Sequence, residues 1–444
     1  SFTVNDAKGF YHCFGCGQHG DVIAFIKDFD NLSYPEAVRT LAQELGVAMP
    51  KPTAEAVLQE KRRAGLQEVM ELACQWFEQQ LRQSGGHTAR DYLLRRGVAI
   101  DIQQQFRLGF APSSRDGLRN YLKNQNITDE QLQKAGLTIQ PDHGQPYDRF
   151  RHRLIFPILD ASGHVIAFGG RQLDAEDKGP KYLNSPETEL FHKGQILYHW
   201  KAARSTASNE QPLLVAEGYM DVIALTQAGF ATAVAPLGTA MTEHHLQLCW
   251  KACDAPILCL DGDAAGQRAM WRAAELALPL LQPGKTLKFC TLPAGQDPDD
   301  LLKREGPESF RQLLKQAKPL SLAVYEHFLT TIGTETAESC AALEHALEQA
   351  ASRIQQPVMR QQFQKFIRNQ MWQLRPKKAA AQPTNPVVHQ LGNTPRPEDR
   401  GQWRLERQII RALLLQPKFF ELSNVEESFA ALELGAPAHR GLQE

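Results

Sequence analysis

Long apolar runs are missing from this chain: none approaches the roughly 18 residues needed to cross a bilayer. With a mean hydropathy of -0.39 and 42% hydrophobic residues, the chain fits a soluble globular protein of 444 residues. Net charge is nearly missing too. Forty-nine Lys and Arg against 50 Asp and Glu leave -1, so the total announces no nucleic-acid partner, though it can hide an acidic site beside a basic groove. Cysteine is scarce, eight residues in all, which excludes a disulfide scaffold. Cys249 and Cys253 stand one helical turn apart, Cys259 lies in a predicted core strand, and Cys74, Cys290 and Cys340 are isolated. These six read as buried small hydrophobes, a usage that suits a reducing cytoplasm. There is no initiating Met, no targeting segment and no internal repeat; with no Met at its start, the missing targeting signal carries little weight.

Acids at strand ends are what the chain does have. Leu213-Leu214-Val215-Ala216 runs into Glu217-Gly218-Tyr219-Met220-Asp221, and Ile257-Leu258-Cys259-Leu260 into Asp261-Gly262-Asp263. A third acidic cluster is Asp297-Pro298-Asp299-Asp300. Short apolar runs of this kind mark strands buried on both faces. The helical period that follows the first two (Met220, Ile223, Ala224, Gln227; then Ala265, Ala269, Arg272, Ala273) predicts a parallel sheet covered by helices. Ligands of such sheets collect at the carboxyl ends of the strands. Each acid taken singly could be a helix cap. Three acidic ends in one domain favour a shared cation instead, because acids gathered together stay ionised only around one. Oxygen donors without a nearby histidine point to magnesium or manganese.

Glu217-Gly218 with Asp261-x-Asp263 and Ala264-Ala265-Gly266 resembles the TOPRIM domain of topoisomerases, certain nucleases and bacterial primases. Four further stretches are similar to bacterial replicative primases, in that family's order: Cys13-Phe14-Gly15-Cys16, Phe168-Gly169-Gly170-Arg171, Lys181-Tyr182-Leu183-Asn184-Ser185-Pro186-Glu187-Thr188 and Phe191-His192-Lys193-Gly194. The fold class expected is therefore α/β and α+β multidomain. It comprises a partial zinc ribbon over 1–50, a linker over 51–65, a basic mixed α+β subdomain over 66–205 and a TOPRIM unit over 206–302. A helical subdomain over 303–374, a Pro-rich linker over 375–400 and the start of a helicase-binding domain over 401–444 complete it. The resemblance implies a chain shortened at both ends.

Cys13-x-x-Cys16 has the form of a zinc knuckle, two thiolates from one tight turn, with redox use or an accidental pair as alternatives. The resemblance implies that zinc takes its other Cys and His from upstream of Ser1, so this is half a site. Further along, alternation over Tyr147 to Arg153 predicts Arg149, Arg151 and Arg153 on one strand face, either a solvated edge or a phosphate-holding surface. The resemblance implies the latter, a groove for template and nucleotide shared with Arg171, Lys181, Lys193 and Asn184.

The activity implied is synthesis of short RNA primers on single-stranded DNA. A 3′-hydroxyl attacks the α-phosphorus of a ribonucleoside triphosphate at two Mg2+ (or Mn2+) ions. Asp261, Asp263 and Glu217 are the expected ligands, with Asp221, Asp297 and Asp299 in support and Asp300 as a helix cap. Glu217 is left as either ligand or proton relay. Replicative helicase through 401–444, single-strand binding protein, a monomeric state and no membrane complete the implied setting. Two rivals remain: a TOPRIM strand-cleaving enzyme, for which none of Tyr92, Tyr182 or Tyr198 is framed as a nucleophile, and a non-catalytic replication adaptor.

Overall fold

Alternation of apolar residues through the central strands gives this fold two separate cores. The computed structural model describes residues 2–14, 18–29, 34–47, 54–174, 179–238, 240–374 and Gln408. The chain forms two compact units, 1–374 and 375–444. The linker expected at 375–400 and the domain expected at 401–444 lie outside the described residues, Gln408 apart, as do Cys16 and Thr239.

The first strands, Phe2–Asn5, Phe10–Cys13 and His19–Gly20, pair antiparallel in sequence order. Helices Val22–Phe29 and Tyr34–Glu44 follow, and Tyr11 meets Phe25 edge-on at 5.1 Å. The stretch expected as a polar hinge up to residue 65 is a different matter. From Ala54 onward it is the start of a 29-residue helix ending at Arg82. Its Glu, Gln, Lys and Arg are polar but, like its Ala, strong helix formers, and no proline interrupts them. From Leu66 the same helix buries Val69, Met70, Ala73, Trp76, Phe77 and Leu81.

Gly109–Ala111 is also a correction. It is an edge strand, antiparallel to Arg153–Leu159, where the glycine and proline of Gly109-Phe110-Ala111-Pro112 predict a turn. Gly109 is there for close approach, since a Cβ at that position would sit 2.6 Å from Cβ of Phe77. Arg153–Leu159, Val165–Gln172 and Tyr182–Asn184 complete this four-stranded antiparallel sheet. Its hairpin turns on Asp160, whose Oδ1 accepts the N–H of Ser162, Gly163 and His164. The expected arginine face does not form. Pairing stops after Asp148 and resumes at Arg153, and His152 between them takes φ +50°, so the period of two is lost across the run.

The central sheet has six strands: Leu197–Tyr198, Ala233–Pro236, Leu214–Val215, Ile257–Leu260, Lys288–Thr291 and Lys318–Pro319, in spatial order. The middle four are parallel and the two edges antiparallel. Both edges come from outside the 206–302 stretch. Leu214, Ala216 and Cys259 face one core, shared with the antiparallel sheet and the Ala54–Arg82 helix. Val215, Leu258 and Leu260 face the other, closed by helices Leu320–Ile332, Ala337–Ser352 and Pro357–Leu374. Each fully buried Leu or Phe contributes about 2 kcal/mol to this clamp. Trp372, whose large apolar ring predicts packing, is 72% exposed near the end of helix Pro357–Leu374, and Cys340 is only half buried, unlike the other five expected core cysteines.

Candidate active site at the acidic strand ends

The parallel register brings the acids together. Val215 pairs with Leu258, so Glu217, two residues on, emerges beside Asp261, and its Oε1 accepts the Asp261 N–H at 3.1 Å. The Asp261-Gly262-Asp263 turn is fastened to the third acidic segment by two backbone bonds. Gly262 N–H donates to Gln296 O at 3.1 Å, and Gly295 N–H to Gly262 O at 3.3 Å. Any Cβ at Gly262 would collide with the Pro293 carbonyl. That glycine lets the two loops touch.

Helix capping and cation holding turn out to be compatible. Asp263 caps helix Ala264–Ala277 through Oδ1 and the Gly266 N–H, 2.7 Å. Asp297 caps Pro298–Lys315 through Oδ1 and the Asp300 N–H, 2.7 Å; the cap expected at Asp300 is thus Asp297. Asp221 turns back on the Gly218 N–H through Oδ2 at 3.0 Å. Each keeps a second oxygen.

Their mutual repulsion is visible in the chemistry of Asp261. Burial, then the charges of Glu217, Asp297, Asp263 and Asp300, push its carboxyl up to about 7. Its Oδ1 is buried with no partner, as is Oε1 of Gln296. Burial, with Asp297 and Asp261 beside it, holds Asp221 well above the ordinary carboxyl range. Orphaned hard oxygens with surplus negative charge fit a divalent cation. Among the described residues no three candidate ligands are already converged on one point. Asp299 departs from expectation. It is buried, and its Oδ2 takes Arg96 at 2.8 Å and Lys303 at 2.7 Å, so its charge is already balanced by protein cations. Arg96 is a residue the sequence did not single out. Its partner is 203 positions away, beyond the reach of any local pattern.

Of the expected phosphate-holding residues, Arg171 and Lys181 line one cleft of about 320 Å³ with Gln172, Leu173 and Asp174. The Arg171 guanidinium lies over Tyr92 at 4.4 Å and Tyr182 at 5.5 Å and donates to the Tyr182 hydroxyl. Arg151 is exposed over Tyr147 at 4.8 Å. Lys193 is half exposed, and its ammonium has no partner among the described residues. Arg149 donates to the Asn184 carbonyl. Arg153 is buried and donates to Gly170 O at 3.1 Å and Pro180 O at 2.9 Å, which removes it from a surface groove. Asn184 joins the two sheets, donating to Leu237 O at 2.9 Å while its Oδ1 accepts the Tyr219 hydroxyl at 2.7 Å; its amide is occupied within the protein. At the ribbon, Cys13 donates its N–H to Gln18 O at 2.7 Å, and the His12 and His19 rings stack at 5.7 Å.

A four-stranded parallel core ending in acids, beside an antiparallel sheet, has the form of a Toprim protein. The Toprim domain model matches residues 211–291, that of the DNA primase catalytic core, N-terminal domain, matches 76–204, and the CHC2 zinc finger matches 1–56. The DNA primase of Escherichia coli K12 is 42% identical over 345 residues, 77% of this chain and 59% of that protein. The DNA primase of Pseudomonas aeruginosa is 42% identical over 352 residues, 77% and 52%. A structure of the DnaG primase catalytic domain bound to ssDNA is 39% identical, covers 70% of this chain and 98% of its own, and has a TM-score of 0.64. The zinc-binding and RNA polymerase domains of Aquifex aeolicus primase are 30% identical, with 83% and 86% covered and a TM-score of 0.60. The chain belongs to the DnaG family of bacterial DNA primases. It spans between half and three-fifths of the length of these curated relatives. The CHC2 and Toprim matches point to zinc and divalent-metal binding. Among the described residues no helix is long and apolar enough to cross a membrane.

Proposed function

We propose that this chain is the catalytic portion of a primase, a DNA-directed RNA polymerase that makes short primers on single-stranded DNA in the bacterial cytoplasm. The observation that carries this reading is the buried, unpartnered Asp261 oxygen surrounded by further carboxylates. Two Mg2+ ions bound there would supply Lewis acidity, easing deprotonation of the 3′-hydroxyl and offsetting charge on the α-phosphorus and departing pyrophosphate. Asp261, Asp263 and Glu217 would hold the cations, and Asp297 and Asp221 would add negative field. The Glu217 bond to the Asp261 N–H engages one oxygen and leaves the other for ligation or proton relay. Arg171, Lys181, Lys193 and Arg151 hold triphosphate and template; Arg149 sets the groove wall through Asn184. Zinc at Cys13 and Cys16, the helicase, single-strand binding protein and the monomeric state belong to the same reading.

The test is template-dependent incorporation of labelled NTPs, wild type beside Asp263→Ala. RNA that needs template and falls at least about 100-fold in the variant is the expected outcome. Nicking or relaxation of DNA without RNA would place the chain among the cleaving Toprim enzymes. DNA binding with neither activity would leave an adaptor.

A further inference from the structure

A second cleft, of about 750 Å³, opens between helices Ala264–Ala277 and Leu320–Ile332. It begins at Ala264 and Thr291. Ala264 follows the capping Asp263, and Thr291 ends the strand beside Ile257–Leu260, so the cleft opens directly off the acidic edge. Trp271 and His327 lie in its wall, their rings face to face at 3.8 Å and 11°. Both are half exposed, and burial holds the imidazole toward its neutral form.

Charge in the cleft is lopsided. Its two acids are already matched, Glu326 by Lys318 at 2.7 Å and Glu275 by Arg353 at 2.9 Å. Arg268 and Arg272 are exposed and have no partner among the described residues. They stand at i and i+4 on one helix, where like charges disfavour the helix unless an anion lies between them. A flat aromatic wall with unmatched guanidiniums in the same lining suits a chain that alternates phosphates and bases. An acidic peptide would use the arginines and leave the ring stack idle. From Ala264 to Glu275 the helix runs about 17 Å, room for a few nucleotides.

We propose that this cleft holds single-stranded template DNA just outside the acidic edge, phosphates on Arg268 and Arg272 and a base on the Trp271–His327 stack. The identity of the strand rests on the primase reading; the binding itself does not. The experiment uses the whole chain and fluorescein-labelled oligodeoxynucleotides carrying 5-iodouracil. Anisotropy across a salt series compares wild type with Arg268→Gln/Arg272→Gln, an exposed pair whose replacement leaves folding intact by melting temperature. Loss of two phosphate contacts should flatten the slope of log affinity against log salt by about 1.4, with several-fold weaker binding at low salt. Photocrosslinking should mark the peptide that contains Trp271. An unchanged slope overturns the proposal, and so does a changed slope without that crosslink, which would mean a distant field alone. Asp263→Ala is run alongside. It should lose RNA synthesis and keep the salt slope; retained synthesis would count against the catalytic reading while leaving the cleft result standing.

Discussion

Arg151 and Arg153 are two positions apart in sequence and opposite in role. Arg153 is buried and satisfies two backbone carbonyls of its own sheet, whereas Arg151 reaches solvent over Tyr147. Arg153→Ala should therefore lower stability by about 3 kcal/mol, because it strands those buried acceptors. Arg151→Ala should leave the melting temperature unchanged and weaken oligonucleotide binding instead. Denaturant melts and anisotropy on both variants read this, and equal destabilisation would refute the division. The residue types were legible in the sequence, but their directions were not. A single residue with positive φ, His152, resets the phase of the run, and no composition signal announces it. Asp299 teaches the same lesson, since its acidic neighbours suggested a ligand and Arg96, remote in sequence, claimed it.

At the scale of elements, the catalytic edge depends on how loops touch. Gly262 sits against the Pro293 carbonyl and exchanges backbone bonds with the Gly295-Gln296 turn. Gly262→Ala should push Asp261 and Asp263 away from Asp297. The expected result is a fall of about 100-fold or more in RNA synthesis with a smaller change in oligonucleotide affinity, since Arg268 and Arg272 stand further along the helix that Asp263 caps. Activity within a few-fold of wild type would show that the two loops need not touch. The strands that run into Glu217 and Asp261, and the helices after them, were readable from periodicity; the antiparallel edges Leu197–Tyr198 and Lys318–Pro319 were not. The Ala54–Arg82 helix was only half readable. Its polar first turns carry no apolar stripe, so their polarity suggests a hinge although their helix propensity is high. Gly109 misled for a related reason. Glycine serves turns and close packing alike, and only the position of Phe77 distinguishes them.

Over the whole molecule, one sheet is clamped between two cores, and around Asp261 its acidic rim carries repulsion that pushes that carboxyl up to about 7. A divalent cation that relieves it should stabilise the fold, by about 2.7 kcal/mol at a hundred times Kd. Scanning calorimetry should show a rise in Tm with Mn2+ for wild type and none for Asp261→Asn/Asp263→Asn; equal rises would place the metal elsewhere. The amino-acid sequence alone determined the parallel core, the acidic strand ends and the family's order of motifs. These depend on local period and composition, which a chain carries with it before it folds. Tertiary structure alone decided which carboxylates remain available and which arginines face outward. It also decided which aromatic rings stand open in the cleft beside Asp263. Availability is a matter of what packs against a side chain, and the partners that decide it here, Arg96 for Asp299 and Gly170 for Arg153, come from distant parts of the sequence.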